Sequence, residues 1–297
     1  MDFAIRYSKK GFPYVNSTVY ESKNGVRYLK SPGVAVISVP EDDLTGIQGF
    51  LNGFSNELGF AEYLNDPAEL KPAESVAKFA GQLCYLSFGP NRTMNRDAQT
   101  YFDNVKSSGH GSLLEHANFT VFWWGISRSL THELVRHRAG FGFSQVSQRY
   151  VGGKTLRFVE RPEYQSDEHL HNSFLRRIER NLAEYEDQTE YLVKKQTEGD
   201  ALLSADRKTD LRKKVRQASR SLLPNETETA IVITANVRAW RHFFNMRVSE
   251  HAEVEIRRAG FMTFRCLYSF APHLFRDFTM VNLSDGTDGL TTPYPKV

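Results

Sequence analysis

Apolar positions recur along the chain in two rhythms, and each rhythm predicts a different kind of element. An apolar stripe at spacings of three and four residues, from Val76 to Leu86, predicts a helix over 74–87. Residues 117–125 are mostly aromatic and β-branched, which predicts a buried strand. The same criteria predict further strands over 34–39 and 229–234, and further helices over 95–105, 127–137, 166–197, 206–222, 237–248 and 250–270.

The two ends of the chain carry the weakest patterns. Residues 1–73 are rich in Gly, Pro and Asn and contain no motif with recognisable chemistry, so they are interpreted as an N-terminal extension of unknown role. The last fifteen residues are rich in Gly, Thr and Pro and predict a loose end. No internal repeat divides the remainder, so we expect one main domain over 74–290 and a tail over 291–297.

Composition is that of an ordinary globular protein. Of the 297 residues, 40% are hydrophobic and 25% charged, and the net charge of +3 creates no strong field for nucleic acid or membranes. No apolar stretch approaches the roughly 20 residues of a membrane span, and no early segment has the pattern of a signal peptide. We therefore expect a cytoplasmic protein that binds neither nucleic acid nor membrane.

The cysteines and histidines argue against two common kinds of site. Cys84 and Cys266 both lie in apolar stretches, so each is predicted to be a buried side chain without the basic surroundings that activate a thiol. A cysteine nucleophile is therefore disfavoured. His110 and His116 are six residues apart, which does not fit a helical pair of metal ligands, and no metal is expected.

A basic cluster lies on the helix predicted over 127–137. Arg128, His132 and Arg136 share one side of this helix, away from its apolar stripe, and the hydroxyl, amide and guanidinium groups of 144–150 (SQVSQRY) follow. Arginine matches phosphate geometry with a planar fork. Two interpretations remain open from the residues alone, a solvated basic face and an anion-binding site.

A second cluster surrounds Arg247, which a helix would place close to Trp240, Phe243 and Phe244. A buried guanidinium needs a partner, so Arg247 either pairs with a nearby glutamate, Glu253 or Glu255, or meets an anionic or enolate-like ligand. The chain has neither a GxGxxG fingerprint nor a GxxxxGK[ST] loop, which indicates a nucleotide or flavin pocket of another kind. Without a cysteine nucleophile, alkylation of a pyrimidine at C5 would need another electron source, which a reduced flavin supplies.

The arginine clusters carry a family resemblance. Arg136-His137-Arg138 followed by SQVSQRY resembles the signature of the flavin-dependent thymidylate synthases (ThyX), which is Arg-His-Arg, seven residues, then Ser. The resemblance spans about 74–290 and includes GHGSLLEH at 109–116, GISRSLTHELVRHR at 125–138, and the long stretch 219–258. One departure stands out, because eight residues rather than seven separate Arg138 from Ser147. The surplus falls beside two glycines, where a bulge or loop can absorb it.

The resemblance implies a fold and a reaction. It implies an α+β fold with a twisted antiparallel sheet packed against helices, a homotetramer, and FAD bound at subunit junctions. The implied reaction is reductive methylation of dUMP at C5 to dTMP, with NAD(P)H reducing the FAD and methylenetetrahydrofolate donating the carbon. A relative acting on UMP or another pyrimidine nucleotide, or making a hydroxymethyl product as in nucleoside-antibiotic biosynthesis, is the alternative. A non-catalytic RNA-binding protein is a third reading of the basic helices.

The resemblance also implies roles for individual residues. For FAD binding it implies Ser112, Arg136, His137, Arg138, Gln145, Asn236, Arg238 and His242. For nucleotide binding it implies Arg128, Glu133, Ser147, Gln148, Arg149, Arg220 and Arg247. The catalytic group would comprise Arg247, which polarises the uracil, together with Ser147 and His110.

Overall fold

The structure is a computed structural model, and it describes residues 4–65, 68–89, 97–199, 203 and 208–297. The strands within these ranges are β1 (Arg6–Tyr7), β2 (Pro13–Val15), β3 (Val19–Glu21), β4 (Arg27–Leu29), β5 (Gly33–Ser38), β6 (Asn118–Ser127), β7 (Phe141–Gln145), β8 (Phe158–Val159), β9 (Glu228–Asn236), β10 (Thr279–Asn282) and β11 (Asp288–Thr291). The α-helices are α1 (Gln48–Leu51), α2 (Pro72–Leu83), α3 (Ala98–Ser107), α4 (Arg128–Leu134), α5 (Glu168–Thr197), α6 (Lys208–Ser219), α7 (Val237–Arg247), α8 (Val254–Tyr268) and α9 (Pro272–Phe275).

The main sheet has the strand order β1-β2-β5-β6-β9-β7, and every neighbouring pair in it is antiparallel. The predicted α+β class with an antiparallel sheet is therefore confirmed. The three predicted strands are β5, β6 and β9. A hairpin of β10 and β11 and a small sheet of β3, β4 and β8 complete the strands described.

Alternation along β6 decides which face of the sheet the helices cover. Phe119, Val121 and Trp123 are fully buried, whereas Phe122 and Trp124 between and beside them are half-buried. The indole Nε1 of Trp123 donates to Thr263 Oγ1 of α8 over 2.9 Å. Helices α7 and α8 thus cover one face, and the other face keeps partly exposed aromatic rings.

The N-terminal segment is part of the main sheet. Strand β5 lies between β2 and β6, and Gly33 packs so closely on Trp124 that an added Cβ would lie 2.1 Å from the indole ring. A separate hydrophobic cluster of Leu51, Phe60, Tyr63 and Phe88 anchors residues 44–65 near α2. The segment that carries no ThyX motif therefore contributes strands β1, β2 and β5 to the main sheet.

The predicted loose end is wrong. The chain forms the β10–β11 hairpin, with Leu290 buried, and it ends with Val297 buried against the main core. The Gly-rich segment forms the turn of this hairpin, where the amide of Gly286 donates to Leu283 O and Gly286 adopts a φ of +74°. The composition predicts a loose end because turn-forming residues dominate this segment and the strands that flank the turn are only four residues long.

Two further expectations need correction. Cys84 is exposed, since it directly follows the last turn of α2, whereas Cys266 is buried as predicted. Helix α4 ends at Leu134, three residues earlier than expected, because the chain turns at Gly140, with a φ of +75°, into β7. The first residues of the helices predicted over 95–105 and 206–222 lie outside the described residues.

Candidate active site

Helix α4 is fixed at its first turn by a buried carboxylate. Ser127 Oγ accepts a hydrogen bond from the amide of Leu130 over 3.1 Å and donates to Glu255 Oε2 over 2.7 Å. The amide of Ser127 donates to Glu255 Oε1 over 2.7 Å. Burial raises the pKa of Glu255, and the two bonds from Ser127 oppose that rise. The cap therefore ties the start of α4, and with it Arg128, to α8.

Arg247, at the end of α7, contacts two side chains of the α4 region. Its Nη1 donates to Glu133 Oε2 over 2.8 Å, and its Nε donates to His137 Nε2 over 3.0 Å. The expected partners Glu253 and Glu255 are wrong, because Glu255 is held by Ser127 and Glu253 binds Arg161. The Arg247 side chain is about one-fifth exposed, so it remains open to a ligand.

His137 lies beside the aromatic side chains of α7. Its ring centroid is 5.2 Å from that of Phe243 and 5.8 Å from that of His242. Burial, together with the neighbouring charges of Arg247 and His242, lowers the pKa of His137 to about 4. At neutral pH the imidazole is therefore uncharged, and its Nε2 accepts the hydrogen bond from Arg247.

Glu133 carries the carboxylate of this cluster. Burial and the charge of Glu253 raise its pKa, whereas the charges of Arg247, Arg161 and Arg136 lower it, with a net rise. Arg136 and Arg247 thus act on the same carboxylate, although one follows α4 and the other ends α7. A carboxylate with a raised pKa beside two arginines is the kind of perturbed group that marks functional sites.

Arg128 and Arg220 are two cationic side chains that lie close to each other. Burial lowers the pKa of Arg128, and the nearby charge of Arg220 lowers it further. Arg128 Nη1 donates to Val146 O over 3.3 Å. Within the described part of the chain neither arginine has a carboxylate partner, and such a pair needs an anion to offset its repulsion.

The SQVSQRY segment follows β7. Ser147 Oγ accepts a hydrogen bond from the amide of Arg149 over 3.3 Å, and Arg149 Nε is buried without a hydrogen-bond partner among the described residues. Gln148 lines a narrow cavity of about 180 Å³ beside Arg157 and Glu228. A buried N–H without a hydrogen-bond partner lowers stability. Arg149 Nε is therefore suited to donate a hydrogen bond to an acceptor atom of a ligand.

Gln145 is used inside the protein. Its Nε2 donates to Thr131 Oγ1 over 3.1 Å and to Thr229 Oγ1 over 3.3 Å, which ties β7 to α4 and β9. Strand β7 pairs with β9 from Phe141 to Gln145 without a register shift. The surplus residue between Arg138 and Ser147 is therefore not absorbed as a bulge in this strand.

Two cavities meet at Arg238, which lines both of them. The larger, about 650 Å³, also contains His110 and Ser112, and the smaller, about 350 Å³, contains Asn236 and His242. Volumes of this order suit small-molecule ligands. Four of the expected flavin or catalytic positions thus share these two cavities with a fifth, Arg238.

The side chains around Arg238 are already partly engaged. Arg238 Nη1 pairs with Glu115 Oε1 over 2.6 Å, and Asn236 Oδ1 caps α7 by accepting from the amide of Ala239 over 2.8 Å. Arg136 and Arg138 are exposed, and they lie before the turn at Gly140 that borders the smaller cavity. No group of three or more potential metal ligands occurs among the residues that the structure describes.

Sequence reasoning missed several contributors to the site. Glu115 lies within GHGSLLEH, but its pairing with Arg238 depends on tertiary contact. Glu255 and Ser127 were not recognised as a pair, and the residues Pro295, Lys296 and Val297 of the smaller cavity were assigned to a tail. None of these contacts has a signal in local spacing. No described helix is both long and apolar enough to cross a bilayer.

Residues 68–273 match the profile of a family described as thymidylate synthase complementing protein. The flavin-dependent thymidylate synthase of Mycobacterium leprae (strain Br4923) is 42% identical over 222 residues, covering 74% of this chain and 85% of the relative. The enzyme of the same name from Mycobacterium sp. (strain KMS) is 43% identical over 221 residues, covering 74% and 85%. That of Corynebacterium efficiens is 42% identical over 223 residues, covering 75% and 86%.

The fold is also similar to a solved structure, that of a UMP/dUMP methylase PolB from Streptomyces cacaoi bound with 5-Br dUMP. The TM-score is 0.52 at 18% identity, and the match covers 83% of this chain and 94% of that chain. At this identity the likeness concerns the fold alone. The profile spans most of the chain, and the relatives share over 40% identity across most of their length. The chain therefore belongs to the thymidylate synthase complementing protein (Thy1, or ThyX) family of flavin-dependent thymidylate synthases.

Proposed function

We propose that the protein catalyses FAD-dependent reductive methylation of dUMP at C5, giving dTMP, with methylenetetrahydrofolate and NAD(P)H as co-substrates. One observation carries the proposal. The partly exposed side chain of Arg247 is held between Glu133 and a neutral His137, and the His137 ring lies next to His242, which lines a ligand-sized cavity. A fixed cation next to a bound pyrimidine can stabilise charge that develops on its ring.

The residues around the two cavities fit a flavin nucleotide. Arg238 offers a cation at their junction, Ser112 and His110 offer polar groups in the larger cavity, and His242 offers an aromatic ring in the smaller one. When bound, the reduced flavin supplies the hydride of the methylation. Arg136, His137, Arg138, Gln145 and Asn236 are proposed to complete its binding site, Gln145 and Asn236 chiefly by holding β7 and α7 in place.

The cationic pair Arg128 and Arg220 is proposed to bind the nucleotide phosphate, because its repulsion is relieved by an anion. Ser147, Gln148 and Arg149 follow directly, and the unpartnered Nε of Arg149 is available to an acceptor of the nucleotide. Glu133 then orients Arg247 toward the uracil, and its own negative charge is balanced by that contact. Arg247, Ser147 and His110 are the proposed catalytic group.

Neutrality of His137 matters for this arrangement. A protonated imidazole would repel Arg247 and could no longer accept its Nε–H. Because the pKa of His137 is lowered to about 4, the guanidinium keeps this acceptor at neutral pH. Cys266 takes no part as a nucleophile, since burial raises the pKa of its thiol to about 12.

The test combines colour and turnover. Purified protein is expected to show flavin absorbance, or to take up added FAD, and to release tritium from C5-labelled dUMP when NADPH and methylenetetrahydrofolate are supplied. Omitting either co-substrate should abolish release. Protein that binds no flavin under any of these conditions would contradict the proposal, as would flavin-loaded protein that leaves the C5 label in place.

A second candidate substrate is UMP. The observation that favours UMP is the surplus residue between Arg138 and Ser147, because that segment directly precedes the proposed nucleotide site. The same tritium assay with C5-labelled UMP separates the two. A higher kcat/KM for dUMP supports the first proposal, and a higher value for UMP supports the second. Family membership favours an enzyme over a non-catalytic RNA-binding protein.

We also propose that the enzyme is a cytoplasmic homotetramer. Support comes from the sheet face that α7 and α8 leave uncovered, where the stacked rings of Phe122 and Trp124 lie 5.5 Å apart and half-buried. Aromatic side chains of this kind are enriched at subunit interfaces. Light scattering at micromolar concentration should give four times the monomer mass, and a monomer mass would contradict the assembly.

A further inference from the structure

The last six residues form a strap that returns to the proposed flavin site. We define the C-terminal strap as residues 292–297, which follow β11. Thr292 Oγ1 donates to Asp277 Oδ2 over 2.5 Å, and the amide of Tyr294 donates to Thr292 Oγ1 over 3.0 Å. The beginning of the strap is therefore fixed to the segment after α9.

A buried ion pair fixes the far end of the strap as well. Arg241 is 1% exposed, and its Nη1 and Nη2 donate to the two carboxylate oxygens of Asp277 over 2.7 and 2.8 Å. Its Nε donates to Val297 O over 3.0 Å. One arginine of α7 thus holds Asp277 and the strap together, so the strap has a defined position relative to α7.

The strap forms one wall of the smaller cavity. Pro295, Lys296 and Val297 line it, and Asn236, Arg238 and His242 of the β9–α7 region line it too. The family profile ends at residue 273, so it assigns no role to these three residues. A basic side chain outside the matched region therefore borders the same space as three proposed flavin positions.

Charge within the cavity indicates what this lysine does. Arg238 is paired with Glu115 over 2.6 Å, so the two formal charges cancel. Lys296 also lines the cavity, and it has no ion pair among the described residues. An anionic group entering the cavity would meet this cation.

We infer that Lys296 is a binding residue for the anionic diphosphate of the flavin dinucleotide. The inference rests on the proposed function, because FAD is the ligand that brings a diphosphate to this cavity. The flexible stem of the lysine lets its ammonium reach a phosphate oxygen as a point charge, without the fixed geometry that arginine imposes. The strap thereby completes the site from outside the family motif.

Three variants test this role. Lys296→Met keeps the apolar stem and removes the charge, Lys296→Arg keeps the charge, and Lys10→Met removes an exposed lysine from a different surface depression. FAD affinity is measured by fluorescence titration of flavin-free protein at low and high NaCl. Lys296→Met should weaken FAD binding about tenfold at low salt, as expected for one charge-assisted contact. Lys296→Arg and Lys10→Met should bind within about twofold of wild type.

Salt separates a charge contact from a packing effect. The difference between wild type and Lys296→Met should narrow at high NaCl, because an exposed phosphate contact is screened. Equal affinity of Lys296→Met and wild type would overturn the inference, as would Lys296→Arg binding as weakly as Lys296→Met. A wild-type protein that binds no FAD would instead contradict the proposed function itself.

Discussion

Arg247 Nε and His137 Nε2 lie 3.0 Å apart, with the guanidinium as donor and the imidazole as acceptor. This contact joins the end of α7 to the turn after α4, so the arginine of one motif is positioned by the histidine of the other. The contact also decides which tautomer His137 adopts. Because Nε2 accepts a hydrogen bond, the neutral imidazole carries its proton on Nδ1.

The protonation state of His137 should be visible in acid stability. Its pKa is lowered to about 4 in the folded state, mainly by burial, against an unfolded value near 6.5. The unfolded chain therefore binds more protons between these values, and His137 costs stability as pH falls from 6.5 to 4. His137→Gln should flatten the decline of Tm over this window. His132→Gln, an exposed histidine on α4, should leave the decline unchanged. Parallel declines for wild type and His137→Gln would refute the lowered pKa.

Arg247→Ala should nearly abolish turnover while the fold persists. Loss of one preorganised charge at a reacting group lowers kcat by about 100-fold to 1000-fold. The ion pair with Glu133 is partly exposed and contributes at most about 1 kcal/mol, so Tm should change little. Arg180→Ala on α5 is the control, because that arginine is exposed. Activity close to wild type in Arg247→Ala would remove it from the catalytic group.

Ser127→Ala should destabilise the protein and weaken nucleotide binding together. It removes the cap of α4 and the hydroxyl that donates to Glu255 Oε2, whereas the backbone amide of residue 127 still donates to Oε1. The expected cost is about 1–3 kcal/mol. The KM for the nucleotide should rise because Arg128 is the next residue. Ser221→Ala, which removes an exposed hydroxyl, should change neither Tm nor KM. An unchanged KM in Ser127→Ala would show that the cap does not position Arg128.

Gly140→Ala should impair flavin binding, whereas Gly142→Ala should not. Gly140 has a φ of +75°, and an added Cβ would lie 2.9 Å from both Ala239 Cβ and Asn236 Nδ2 at the smaller cavity. Gly142, two residues later in β7, has an ordinary φ, and its nearest neighbour would be Thr234 O at 3.9 Å. Flavin affinity and Tm measured on both variants make the comparison. Equal behaviour of the pair would contradict the close packing at Gly140.

Ser147→Ala should act mainly on nucleotide binding. The hydroxyl accepts from the amide of Arg149, so its loss frees the backbone beside the unpartnered Nε of Arg149. We expect KM for the nucleotide to rise several-fold and kcat to fall less, because a hydrogen bond of this kind contributes about 0.5–1.5 kcal/mol. A collapse of kcat with unchanged KM would indicate a nucleophile or proton carrier instead.

Much of the fold was readable from local pattern, since β5, β6 and β9 and the long helix α5 all follow apolar periodicity. Strand β7 was missed because Gly140, just before it, and Gly142, within it, are typical of a break. Its alternation of Phe141 and Phe143 with small residues becomes meaningful only beside β9. The fold class itself came from the family resemblance, which the comparisons confirm.

The residues of the site that belong to sequence motifs could be predicted, and their tertiary partners could not. Sequence matching named Arg238, His242 and Arg247, and the structure places the first two on one cavity and the third beside His137. Their partners could not be read from spacing, because Glu115 and Glu133 meet their arginines only after distant segments pack. The strap is the clearest case, since Arg241 reaches it from more than fifty positions earlier.

Strand order also governs how the chain can be made. Strand β6 lies between β5, from the first forty residues, and β9, whose Thr234 bonds Thr120 across 114 positions of sequence. During translation one edge of β6 stays unpaired until β9 has left the ribosome. Chains released or cleaved before that point would present an open apolar strand edge to one another. Truncated products of this protein should consequently aggregate rather than accumulate as partly folded species.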